Sequence, residues 1–201
     1  MRIRLVFGIL FICGLFASCK QKSLYPDQYV QWVLNPDNGL RVVKEMIELD
    51  FELIYKPIEF KLIQEFGEEI IDANKFEERK KELTGYEYFN FRITSKVASE
   101  LLVTNIHSQQ EFDERLNYFV GDAQNDFSLV QDGDTIPCSI YHFERNYGIA
   151  PYNTMVLAFK SNGDNLNDKK IIYHDRVFGN GPIILSISKE SLKKLPQIKL
   201  R

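Results

Sequence analysis

A mainly β fold is the expectation for this chain: an antiparallel sheet or sandwich-like domain interrupted by one helical insertion. Three observations predict it. Segments of period two recur at residues 47–55, 86–94 and 135–144, and alternation of apolar with polar residues marks a half-buried strand. Turn sequences punctuate the chain, notably Asp132-Gly133 and Gly179-Asn180-Gly181-Pro182, which suit tight hairpins. The chain also holds 15 Phe and 10 Tyr among 201 residues, and such rings pack well on pleated surfaces. An α+β domain, with helices covering one face of the sheet, is the alternative.

Residues 1–18 open with Arg2 and Arg4, run without a charge from 5 to 16, and lead through Leu15-Phe16-Ala17-Ser18 to Cys19. This is the layout of a secretory signal. The apolar run is too short to cross a hydrocarbon core of ~30 Å, which takes about 20 helical residues. The small residues before Cys19 resemble a lipobox. Cleavage before Cys19, and lipidation of Cys19 by diacylglycerol, are therefore expected; two acyl chains anchor stably where one is marginal. Losing the two arginines takes the net charge from −3 to −5. No basic excess favours nucleic acid as a partner. Of three cysteines, Cys13 lies in the signal and Cys19 is the lipid site, so only Cys138 remains. The fold must hold without an internal disulfide, and Cys138 reads as a small buried hydrophobe.

Residues 19–40 read as a tether and a lead-in segment. Lys20-Gln21-Lys22-Ser23 is polar without an acid. The stretch Tyr29-Val30-Gln31-Trp32-Val33-Leu34-Asn35-Pro36-Asp37-Asn38-Gly39-Leu40 follows, in which Pro36 fixes φ and Gly39 can take a positive φ. Trp32, the one tryptophan, is expected to cover an end of the core. This stretch resembles a group of uncharacterised Bacteroidetes lipoproteins that carry Tyr-x-x-Trp-Val-x-Asn-Pro-x-Asn-Gly-Leu soon after the lipidated cysteine. The similarity continues through the following strands into the C-terminal segment. The resemblance implies an outer-membrane lipoprotein of the cell envelope and implies no chemistry. Surface-displayed relatives often carry acidic residues just after the cysteine; their absence here points to the periplasmic face.

Residues 41–201 form one globular domain. The alternation over 47–55 is a strand, or a pair broken near Asp50, ended by Pro57. The helical insertion spans about 57–83: Ile58, Leu62, Ile63 and Phe66 share a helical face, Gly67 can cap it, and the charged run to Leu83 suits a solvated helix. Residues 86–94 return to strand, with Phe89, Phe91 and Ile93 on one side. A strand is expected at 101–106 and a short helix or turn at 111–119. A β-meander starts at 127, with strands at 127–131 and 135–144, the latter placing Ile136, Cys138, Ile140 and His142 on one face. Residues 154–159 are apolar on both faces, as in a central strand. A final hairpin at 171–177 and 183–188 and a short helix at 189–195 complete the chain.

His107, His142 and His174 lack any metal-ligand spacing, and the chain has no Cys-x-x-Cys pair. Asn162, Asp164, Asn165, Asn167 and Asp168 make an oxygen-rich loop, but its spacing is not that of an EF-hand, and such residues are good turn formers. No Gly-x-Ser-x-Gly elbow, dinucleotide fingerprint or Walker loop occurs. No catalytic residue, metal or cofactor is expected. The candidate contact set is Tyr141, Tyr147 and Tyr152 beside Arg145 and Asn146, because rings stack on apolar faces while amides bind hydroxyls. The leading expectation is a non-catalytic, lipid-anchored envelope protein that docks a partner protein or supports an envelope assembly. The alternative is a small-ligand or glycan-binding module, and an envelope hydrolase is the residual reading.

Overall fold

The computed structural model describes residues 22–67, 72–161 and 166–200. Its centre is one antiparallel sheet of eight strands in the order β2-β3-β4-β7-β6-β5-β8-β9. The strands are β2 (Arg41–Glu45), β3 (Leu49–Lys56), β4 (Tyr86–Ser95), β5 (Phe127–Gln131), β6 (Asp134–Glu144), β7 (Tyr152–Lys160), β8 (Lys169–Asp175) and β9 (Gly181–Ile187). A short parallel pair, β1 (Ser23–Leu24) with β10 (Gln197–Ile198), joins the two ends of the described residues. The fold is mainly β, and the edge strands β2 and β9 approach each other so that the sheet nearly closes.

Strand β6 carries the curvature. Its first half pairs with β5 and its second half with β7, and a bulge separates Cys138, opposite Phe159, from Ile140, opposite Ala158. The extra residue, Ser139, reverses the alternation, as a bulge does. Cys138 is buried as expected, but Ile140 and His142 face outward, and Tyr141 and Phe143 turn inward. The expectation that residues 136, 138, 140 and 142 share one face is thus corrected.

The inner face is filled by rings. Phe51, Phe89, Phe91, Phe127, Phe159 and Tyr173 are almost wholly buried. Phe127 stacks on Tyr173 at 4.6 Å and meets Phe91 edge-on at 5.0 Å. Each such ring contributes on the order of 2–3 kcal/mol of burial. One ion pair shares this interior: the Lys169 ammonium, 1 % exposed, lies 2.7 Å from Glu87 Oε1, near the Tyr55 ring.

The insertion consists of two helices, α2 (Ile58–Phe66) and α3 (Ala73–Leu83). Gly67 caps α2 at φ 85°, and the Asp72 carboxylate caps α3 by accepting from Asn74 N and Lys75 N. Helix α4 (Gln109–Val120) starts at Ser108, whose hydroxyl accepts from Glu111 N, while Glu111 accepts from His107 N. Helix α5 (Lys189–Lys193) starts at Ser188 in the same manner.

Four features depart from the sequence-based expectation. The break in the 47–55 alternation falls before Leu49, at the turn between β2 and β3, and Asp50 is inside a strand. Residues 101–106 are not a strand: 101–103 form a 3₁₀ turn that buries the adjacent Leu101 and Leu102 together. The domain begins before residue 41, because α1 (Pro26–Leu34) places Tyr29 and Val33 in the core and Leu40 joins them. Residues 197–198, beyond the last helix, form a strand. Trp32 of α1 is half-buried against the core.

Strand register defines two ends. Leu49, Ser95, Tyr152 and Glu144 lie at one, and Lys56, Tyr86, Lys160 and Cys138 at the other. The connections 46–48, 96–108 and 145–151 emerge from the first, the loop end. Helices α2 and α5, and Gly39 packed against Ser191 of α5, lie at the second, the helical end. The ten residues of β4, at about 3.3 Å each, set the ends roughly 30 Å apart.

Candidate functional site

The loop end carries the candidate site. Its loops are stapled by hydrogen bonds. Lys96 N–H donates to Glu48 O at 2.8 Å, and its ammonium donates to Met46 O and pairs with Asp50 at 2.7 Å. Asn105 Nδ2 donates to Glu48 Oε2 at 2.8 Å. Ser95 Oγ accepts from Ala98 N and Thr104 Oγ1, and Ser95 N–H donates to Pro151 O. The Arg115 guanidinium donates to Leu102 O at 3.1 Å and Thr104 O at 2.5 Å. Asp175 accepts from the backbone of Val177, Phe178 and Asn180 and so fixes the turn after β8.

Asn146 braces the 145–151 loop. Its amide donates to Ala150 O at 2.8 Å and to Tyr152 O, and its Oδ1 accepts from Gly148 N at 3.0 Å. Tyr147 and Gly148 both take a positive φ, 54° and 79°, which turns the Tyr147 ring outward. The Arg145 guanidinium lies between the rings of Phe112, 5.6 Å away, and Tyr147, 4.8 Å away.

On this braced frame apolar side chains project outward. Ile47 is 95 % exposed, Ile149 89 %, Tyr147 75 % and Val97 55 %. Ile47 and Ile149 bury almost nothing in the fold, their apolar tips standing in water. Beside them a depression of about 390 Å³ is lined by Met46, Leu49, Asn105, Arg115, Phe178 and Asn180.

The three candidate tyrosines do not converge. The Tyr141 hydroxyl donates to Phe119 O at 2.6 Å and its ring packs toward Phe127 in the interior; burial pushes its pKa far above the ordinary tyrosine range. Tyr152 lies on the outer face of the sheet with the Arg92 guanidinium 4.2 Å over its ring. Of the three, Tyr147 alone projects from the loops of the loop end. The bulge that turns Tyr141 inward left no mark in the alternation of the sequence. Ile47 opens the alternation over 47–55 and so reads as strand, while Val97 and Ile149 are single apolar residues in loops and carry no pattern.

His107, His142 and His174 are all exposed and lie on separate elements. Among the described residues no group of three His, Cys, Asp or Glu side chains is placed to hold a metal ion, and no helix is long and apolar enough to cross a membrane. Cys19 and positions 162–165 of the Asn/Asp-rich loop lie outside the described residues. No family model, curated protein or solved structure matches the chain.

Proposed function

We propose that the protein is a non-catalytic, lipid-anchored envelope protein, held by diacylglycerol on Cys19 at the periplasmic face of the outer membrane, that docks a partner protein through its loop end. One observation carries the reading. Residues Ile47, Val97, Tyr147 and Ile149 are exposed on loops that are rigidly braced, and the tether leaves from the opposite end, where β1 pairs with β10. Lipid anchoring raises the local concentration of the domain near membrane partners. Preformed apolar tips dock with little ordering cost.

The experiment is a gentle-detergent co-purification from native membranes, with proteins identified by mass spectrometry, on wild type, Cys19→Ala and the pair Ile47→Asp with Ile149→Asp. A stoichiometric partner retained by wild type and lost from the Asp pair is expected, with the Asp pair still membrane-bound and Cys19→Ala released by a carbonate wash. A partner that survives the Asp substitutions refutes docking through the loop end. Small-ligand or glycan binding is the second reading, favoured by the depression lined by Phe178, Arg115 and the amides of Asn105 and Asn180. A solitary wild-type protein whose Trp32 or tyrosine fluorescence is saturably quenched by a glycan would support it.

A further inference from the structure

The parallel pair β1–β10 fixes the C-terminal segment beside the start of the described chain. Gln197 N–H donates to Lys22 O at 2.9 Å, and Lys199 N–H donates to Leu24 O at 2.8 Å. This segment is basic. Lys22, Lys189, Lys193, Lys194 and Lys199 are all exposed, and Glu190 is the single acid between Lys189 and Leu200. Asp168 accepts from the backbone N–H of Lys189, Asp27 lies in the first turn of α1, and α2 and α3, which pack on Ile198 and Leu200, carry Glu59, Glu65, Glu77, Glu78 and Glu82 among Lys61, Lys75, Arg79, Lys80 and Lys81 and so add no net positive charge. The Lys199 ammonium lies 5.0 Å over the Tyr25 ring. In a chain of net charge −3, the run from Lys189 to Leu200 holds four lysines against one acid.

Chain length then limits where this face can be. Three residues separate Cys19 from Ser23, and a fully extended chain covers at most about 14 Å over those four steps. An acylated Cys19 therefore keeps Lys22 and the β1–β10 pair close to the lipid headgroups, on the scale of a Debye length of about 8 Å at physiological salt. A lysine that reaches the surface of an anionic leaflet multiplies the affinity by roughly fivefold, and the attraction falls off within a Debye length.

We infer that the basic strap formed by Lys22, Lys193, Lys194 and Lys199 is a membrane-facing surface that lies on anionic lipid headgroups and orients the domain with its loop end away from the bilayer. The lipid holds the chain to the membrane and the strap sets its attitude. The inference rests on the anchored reading above, and its test separates the two.

The full-length protein isolated from its native membranes is presented to vesicles of phosphatidylcholine alone, or with one third phosphatidylglycerol. Flotation reports the anchor. Acylation by a water-soluble amine reagent, read at each lysine by mass spectrometry, reports the strap. Lys22, Lys193, Lys194 and Lys199 should label roughly fivefold more slowly on the phosphatidylglycerol vesicles, with Lys44 and Lys96 at the loop end unchanged. High salt should abolish the protection, and so should Lys193→Gln, Lys194→Gln and Lys199→Gln together, read at Lys22. Flotation on phosphatidylcholine with equal labelling on both vesicles leaves the anchor standing and overturns the strap. Salt-sensitive flotation only with phosphatidylglycerol, lost in the triple variant, upholds the strap and overturns the anchor. No flotation on either overturns both.

Discussion

Lys169 and Glu87 stand 82 positions apart, yet they meet inside the sheet with side chains only 1 % and 7 % exposed. Breaking a buried pair leaves one charge without compensation, so Lys169→Met is expected to cost about 3 kcal/mol or more, read from the urea midpoint of the purified protein. Neither residue was legible as buried: Lys169 sits between Asp168 and Lys170, Glu87 between two tyrosines, and nothing local names the partner of either. Lys56, at the end of β3, behaves differently. Burial, reinforced by Lys61, lowers its pKa to about 8. The folded state thus releases this proton before the unfolded state does, and stability is expected to rise with pH from about 8 toward the ordinary lysine value near 10.5. Lys56→Met should stabilise the fold by about 1 kcal/mol at pH 7, after allowance for its partial exposure, and the gain should shrink as pH climbs through that window. Denaturation at pH 7 and pH 10 checks the sign. Cys138 opposes this trend at the alkaline end, since burial pushes its thiol up to about 11 and the unfolded thiol ionises first. Its character as a small buried hydrophobe was readable from sequence.

At the scale of elements, the Asn-Pro-Asp-Asn-Gly stretch has a structural role. Asn35 accepts from Asp37 N at 3.0 Å, Asn38 Nδ2 donates to Trp32 O at 2.8 Å, and Gly39 takes φ 75°. A Cβ on Gly39 would collide with Ser191 Oγ and stand 3.1 Å from Ser191 Cβ. Gly39→Ala therefore meets both strain and overpacking and is expected to cost about 2 kcal/mol, measured by thermal or urea denaturation with the fold checked by circular dichroism. The turn was legible because its residues act locally. The helix before it was not, since a nine-residue segment with a modest apolar face, begun by Pro26, is easily masked by the turn chemistry after it. The 101–106 stretch misled in the other direction: Leu101 and Leu102 are apolar neighbours that a strand would send to opposite faces, whereas a 3₁₀ turn buries both.

For the whole molecule, the sheet sets two unlike ends roughly 30 Å apart. In the proposed reading the helical end receives the tether, and the loop end presents Ile47 and Ile149. Because these two side chains bury nothing in the fold, replacing both by Asp is expected to leave stability within about 0.5 kcal/mol while partner binding is lost; equal melting curves with unequal partner recovery are the joint readout. The sequence by itself determined the mainly β class, the hairpin at Asp132-Gly133, the helical insertion and the burial of Cys138, because period, turn chemistry and capping act over a few neighbouring residues. Only the tertiary structure decided that Tyr141 turns inward at a bulge, that Lys169 meets Glu87, that the termini pair, and that the exposed apolar tips gather at one end. Those outcomes depend on which distant strands become neighbours, and sheet order is set by burial of the whole core rather than by any segment of it.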